Sequence, residues 1–361
     1  MSRPRFAFKA AGAALLLAVT PGWGSEAKPA LPAEVKPAAA QPVETKALSL
    51  ADAITKGVRS VMEKSGGAIC RIEADDDRGR LEGTGFLIDP EGIVVTSYSL
   101  GQASEDLSVT VGDESYPAKL LVADGRSGIA LLKIKADEPF PFLKTGSATA
   151  LEVGAPLVAL GYPLGLPLSP SFGVVAGFNA GFQGRYFATR HLRVNTSIQR
   201  GECGAPLLNL EGEAVGVLIS SIDSGSGVFA LPIEAVQKVL HDFRAYQRVR
   251  PGWLGADVRI TDAPEAGSTA RLRGLRSNGP GALAKLRPGD VLLQVGDWKI
   301  SSPDDVLNAS FYITAGEPLT VRISRAGKIH TLTVTPADPP EGATPKILRQ
   351  EPIVVGQADQ K

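Results

Sequence analysis

Between residues 68 and 134 the apolar positions fall in short runs, AICRIEA, GTGFLID, GIVVTSY, LSVTV, YPAKLLVAD and GIALLKI, broken by turn signals such as Asp89-Pro90-Glu91-Gly92. Short runs rich in Val and Ile and spaced by turns predict six strands, and six such strands predict a closed barrel or a sandwich. A second set follows from residue 155: APLVALGYP, SFGVVAGF, HLRVNTSI, APLLNL, EAVGVLISS and GVFALP. The period then switches. In PIEAVQKVLHDFRAYQ, Ile233, Val236, Val239, Leu240 and Phe243 recur on one helical stripe. After Arg250 strands return in GWLGADVRI, TARLRGLRS, DVLLQVGDWKI, LTVRISRAG and HTLTVTP, with a short helix at GALAKL and a longer one from about Pro303 to Thr314. These make a small α+β unit.

Upstream of the strands, Leu50, Ile54, Val58 and Val61 recur at helical spacing behind a candidate Ser49 cap, and Gly66-Gly67 stops that helix. Residues 28–47 mix Pro, Ala and charge with no apolar period, the pattern of a linker. Residues 338–361 are Pro-rich and equally aperiodic, the pattern of a flexible tail. The expected organisation is therefore a leader (1–27), the linker, a double-barrel unit (48–248), the α+β unit (249–337) and the tail.

Charge excludes one class of partner. Lys and Arg total 38 against 38 Asp and Glu in 361 residues, with no basic run, so nucleic acid is not an expected ligand. The first residues change the picture more. Arg3, Arg5 and Lys9 precede an apolar stretch, Ala10 to Thr20, and small residues around Gly24 and Ala27 follow. That is the layout of a secretory signal, and the apolar stretch is shorter than the ~20 residues a spanning helix needs. Export to the periplasm or cell envelope is expected, with no transmembrane segment after cleavage. Export would allow Cys70 and Cys203 to pair, but they sit in segments assigned to different barrels, and a disulfide between them is not expected.

The chemistry centres on QRGECGAPLLN, residues 199–209. A Gly-x-Cys-Gly turn ahead of an apolar strand looks built to present one side chain to a reactive site. Successive six-strand sets, this turn, and a small α+β unit resemble the HtrA family, which are exported trypsin-like serine proteases carrying PDZ domains. GTGFLIDPEGIVVT is similar to that family's opening hairpin, GYPLGL to its G-N-P-x-G-L turn, GECGAPLLNLEGEAVGV to its G-N-S-G-G-P-L-x-N segment, and VFALPIE to its F-A-I-P exit. The resemblance implies a mostly β protein: a chymotrypsin/trypsin-like double β-barrel followed by a small α+β PDZ domain.

It also implies where a catalytic triad belongs. The family's histidine falls on Ser99 in Thr96-Ser97-Tyr98-Ser99-Leu100, its aspartate on Gly128, and its nucleophilic serine on Cys203. A thiol is partly ionised near neutral pH, but amide hydrolysis still needs a base, and an acid for the leaving amine. Ser99 and Gly128 supply neither. The three histidines, His191, His241 and His330, all lie in segments remote from these positions. Gly201 and Cys203 keep the backbone of an oxyanion hole, while Glu202 brings a carboxylate where the family has asparagine. In the α+β unit, Gly252, Trp253, Leu254, Gly255 and Ala256 resemble the G-Y-L-G-V loop with which PDZ domains take a peptide carboxylate, and LRPGDVLLQVGDWKI resembles the segment that follows it.

The expected function is that of an exported pseudoprotease binding unfolded polypeptides or C-terminal peptides through the PDZ loop, in envelope quality control, as a chaperone or regulator. Two alternatives stay open: an active endopeptidase using Cys203, and a scaffold for an active paralogue. A homo-oligomer is a further possibility, although the absence of Phe, Trp and Tyr between Ser25 and Gly85 removes the aromatic residues through which the family commonly trimerises. No metal and no cofactor are expected.

Overall fold

The computed structural model describes residues 44–340 apart from 77–78, 103–106, 183–184 and 223–226; the expected leader, nearly all of the linker and most of the tail lie outside these residues. Strands β1 (Ile69–Asp76), β2 (Gly79–Leu87), β3 (Ile93–Ser97), β4 (Leu107–Val111), β5 (Glu114–Asp124) and β6 (Ile129–Lys133) close into an antiparallel barrel in the order β1-β2-β3-β6-β5-β4. A second barrel, ordered β10-β11-β12-β9-β8-β7, is formed by β7 (Pro156–Gly161), β8 (Ser169–Phe182), β9 (Arg185–Asn195), β10 (Pro206–Leu208), β11 (Ala214–Ile222) and β12 (Gly227–Pro232). This is the double barrel the resemblance implied.

Alternation explains why these strands read as solid apolar runs. Successive side chains on a strand point to opposite faces. On β3, Val94 enters the first barrel's interior with Ile72, Leu87 and Leu132, while Val95 faces out with Phe86 and Leu131. On β7, Leu157 and Ala159 line the second barrel, and Val158 and Leu160 face the same inter-barrel layer. Both faces are dry, so neither can carry a polar residue cheaply.

Helix α1 (Glu44–Ser65) starts five residues before the expected cap at Ser49, inside the expected linker; Lys46, Ala47 and Leu48 are good helix formers and nothing there stops the helix. Its Val61 is fully buried, whereas Leu50 stays 63% exposed. A short helix, α2 (Tyr98–Gly101), takes over where the strand GIVVTSY was expected to run on. Helix α3 (Ile233–Tyr246) buries Ile233, Val236, Val239 and Leu240 in the inter-barrel layer, as its stripe predicted. Its Glu234 accepts from the Ser147 hydroxyl at 2.8 Å and the Ala148 amide at 2.9 Å, tying the helix start to the inter-barrel crossover.

The C-terminal unit is a sheet ordered β13-β14-β15-β17-β18, with β13 (Ala256–Glu265) at one edge. The others are β14 (Ser268–Leu275), β15 (Val291–Val295), β17 (Leu319–Arg325) and β18 (Lys328–Val334). The run DVLLQVGDWKI folds back at Gly296-Asp297 into β15 and the short β16 (Trp298–Lys299). Helix α4 (Pro280–Leu283) is one turn, and α5 (Pro303–Phe311) starts on a capping box between Ser302 and Asp305.

Helix α5 meets both units. Asn308 Oδ1 accepts from the Thr189 hydroxyl and from the Arg190 amide, both at 2.7 Å, and Arg190 pairs with Asp305 at 2.5 Å. The Tyr312 hydroxyl lies 2.9 Å from that of Thr189. The Arg126 guanidinium sits 5.1 Å from the centre of the Phe311 ring. Fully buried Asp242 on α3 completes the junction: it accepts from Lys238 at 2.5 Å, the Arg250 amide at 2.8 Å and the Thr314 hydroxyl at 2.9 Å.

Candidate functional site

The segments bearing Ser99, Gly128 and Cys203 meet between the barrels. The amide of Tyr98, at the start of α2, donates to the Gly128 carbonyl at 2.7 Å, so the Ser99 and Gly128 segments are joined directly. The Gly201–Ala205 turn reaches them from the second barrel. The Cys203 carbonyl accepts from the Thr84 amide at 3.1 Å, and Gly204 packs against the end of β3. A side chain at Gly204 would meet Thr96 Oγ1 at 2.6 Å and the Ser97 amide at 3.0 Å, and the residue holds φ +89°, so only glycine fits.

Thr84, which the sequence did not single out, is the anchor of this turn. Fully buried, its hydroxyl donates to the Gly201 carbonyl at 2.7 Å and accepts from the Tyr162 amide at 3.1 Å; its own carbonyl accepts from Thr96 at 2.9 Å. The Leu164 amide donates to the Arg200 carbonyl at 2.7 Å, which attaches the turn to the GYPLGL segment. The Gly201 and Cys203 amides donate to no acceptor among the described residues, so two N–H groups remain available beside the thiol.

The side chains around that backbone offer the thiol no histidine partner among the described residues. Ser99 is exposed, and its hydroxyl lies 3.1 Å from that of Ser97. Gly128 carries no side chain and holds φ +81°. The nearest carboxylate in sequence, buried Asp124, faces the Arg126 amide and Nε at 3.2 and 3.3 Å. The Cys203 thiol points at the Ile219 carbonyl, 3.9 Å away, and no histidine among the described residues is within hydrogen-bond reach of it. His191 is buried, stacked on Phe187 and bonded through Nδ1 to the Thr189 carbonyl at 2.7 Å. His241 faces Glu317 at 2.9 Å, and His330 lies on β18 opposite Ile323.

Electrostatics oppose thiol activation. Burial first, and the nearby Glu202 carboxylate second, push the Cys203 thiol above its ordinary range. Glu202 is itself 2% exposed, and its carboxyl accepts from the Gln199 amide at 2.6 Å. Burial raises its pKa too, against the pull of the Gln199 amide and the Ser171 hydroxyl. A thiol raised in this way is protonated at neutral pH and is a poor nucleophile. Cys70 and Cys203 are both free.

The second set of candidate residues is in the C-terminal unit, after α3 in the chain. Trp253 pairs with Ala337 in both directions, at 2.8 and 3.1 Å. The Leu254 and Gly255 carbonyls accept from Gly281 and Arg276, both at 2.8 Å, whereas their amides donate to nothing among the described residues. The Trp253 indole lies over Gly255, 3.1 Å from where a Cβ would stand. Beyond Ala256 the loop runs into β13, whose outer edge has no partner strand among the described residues.

Residues 83–217 match the trypsin-like peptidase domain family. The chain is 28% identical over 284 residues to a DegP-like periplasmic serine endoprotease of Halomonas elongata, covering 74% of this chain and 59% of that protein. It is 30% identical over 278 residues to one of a Marinomonas species, covering 71% of this chain and 58% of the relative. The chain thus spans under two thirds of the length of these two relatives. Among solved structures, the HtrA-type protease AlgW bound to a tripeptide superposes with a TM-score of 0.63 at 21% identity, covering 79% of this chain and 99% of AlgW; the likeness shows a shared fold. Among the described residues no helix is long and apolar enough to cross a membrane.

Proposed function

We propose that this chain, which belongs to the HtrA family of trypsin-fold proteins, is an exported pseudoprotease that binds polypeptides and does not cut them. One observation carries the reading: the Cys203 thiol has no base within reach among the described residues, and burial and Glu202 both hold it protonated. Without a base the thiol is not activated, and without an acid the leaving amine is not protonated. Backbone N–H groups alone leave only the ~10³–10⁴-fold residue of catalysis that survives loss of a triad, far below a working peptidase. The relatives' periplasmic names support placing the protein in the same compartment.

Binding falls to the C-terminal unit, read as a PDZ domain. The free Leu254 and Gly255 amides suit a carboxylate, and the unpaired edge of β13 suits an added strand, the two components of PDZ recognition. Helix α5 runs beside β13. Asp305, Asn308 and Tyr312 face the barrel and Ala309 faces the sheet core, which leaves half-buried Leu307 and Ser310 to wall a groove. Peptide-bound AlgW structures share this fold, which supports the same use here. The ligand class is an unfolded chain, or a C-terminus ending in an apolar residue.

The test is to incubate the protein with reduced, unfolded casein beside a Cys203→Ala version. Neither should release fragments. Specific cleavage abolished by Cys203→Ala would overturn the pseudoprotease reading. A fluorescent decapeptide ending in a free valine carboxylate should bind the protein, and amidation of that carboxylate should weaken binding.

A further inference from the structure

We propose that the chain's own segment 351–357 docks as an added strand along the free edge of β13 and competes with external peptides for that groove. The inference rests on reading the groove as a peptide site. Its first support is where the described chain ends. Ala337 is paired antiparallel to Trp253, and Asp338 is bonded to Arg250 at 3.0 Å, so the chain leaves the described residues at the base of the loop that opens into β13, on the side of α3 and within tether reach of that strand.

Reach is the second support. From Ala337 to Ile353 a chain of 16 steps spans at most roughly 55 Å, and β13, with 10 residues, is roughly 33 Å long. The segment therefore reaches any point along the strand without strain. A tether of this length supplies an effective concentration on the order of millimolar, so even a weak strand is held there.

Composition picks out the segment. Residues 341–361 read EGATPKILRQEPIVVGQADQK, and Ile353-Val354-Val355 is its one run of three β-branched residues. Pro352, which cannot donate to a ladder, and Gly356 bound the run. The edge of β13 offers what such a run needs: unpaired backbone groups, and apolar side chains beside them, with Ile260 68% exposed and Val258 half-buried. Exposed strand edges of this kind are normally covered or blunted, and the nearest cover is the tail itself.

Hydrogen exchange on the full chain, on a chain ending at Pro340, and on a full-length Ile353→Asp/Val355→Asp variant tests the proposal. Amides along β13 should exchange more slowly in the full chain than in either variant, independently of protein concentration. The valine-ending decapeptide should bind both variants about tenfold more tightly, as expected when the tail fills the groove nine parts in ten. Equal exchange in all three proteins overturns the proposal, as does protection that disappears on dilution, since that would come from the tail of a second copy. If none of the three binds the decapeptide, the peptide-site reading fails, and the exchange comparison still decides whether the tail docks.

Discussion

At Gly128, where the family resemblance would place an aspartate, the backbone itself is constrained. With φ +81° the residue occupies a region that costs an ordinary side chain about 1–2 kcal/mol. Gly128→Ala should lower unfolding stability in urea by about that much, and Gly128→Asn by less, because asparagine tolerates this conformation. His191 gives a residue-scale pH dependence. Burial depresses its pKa to about 4, against the opposing pull of the Thr189 carbonyl. Its unfolded value is ~6.5, so between these the unfolded chain binds a proton that the folded chain refuses. Stability is therefore full above about pH 6.5 and falls as the pH drops toward 4, by roughly 3 kcal/mol in total. Thermal melts across that range should show a shallower slope for His191→Gln than for the unsubstituted protein.

At the scale of elements, the barrels were legible because their strands are short, apolar and separated by strong turn signals. Twelve runs matched twelve strands, and the stripe of α3 matched the helix. What sequence missed depends on contacts distant in the chain. Thr84 reads as an ordinary strand residue in GTGFLID, yet the turn bearing Cys203 hangs on its hydroxyl. Local pattern could not show this, since the partner carbonyl is 117 positions away. Asn308 is similar: a polar residue mid-helix looks like a solvated face, and instead its Oδ1 bridges to β9. Asn308→Ala would leave the Arg190 amide and the Thr189 hydroxyl less satisfied and should cost about 1–3 kcal/mol; a cycle with Thr189→Val, measured by chemical unfolding, should show the two sites coupled. Motif resemblance drew attention to Ser99, Gly128 and Cys203, while the raised pKa of the Cys203 thiol needed the fold, which buries the thiol itself first and sets Glu202 beside it second.

At the scale of the molecule, from Ser49 onward the chain packs as one unit, and Asp242 is where its parts are joined. Asp242→Ala would strand Lys238, 7% exposed, without its counter-ion. A buried pair broken in this way costs about 3–5 kcal/mol. Calorimetry should then resolve a single unfolding transition into two, one for the barrels and one for the sheet that follows; a single transition lowered as a whole would mean that Asp242 stabilises without joining. Phe311 sharpens the point. Although it belongs to the helix of the C-terminal sheet, its ring is 2% exposed and sits in the same apolar layer as Val61, Ile233 and Val239 between the barrels. A fragment cut at residue 249 would bare that ring, together with the Tyr312 and Asn308 faces beside it, and would leave a hole in the other piece. Anyone who prepares the C-terminal unit alone should expect a sticky, poorly soluble product, because the seam visible along the sequence is not a seam through the core.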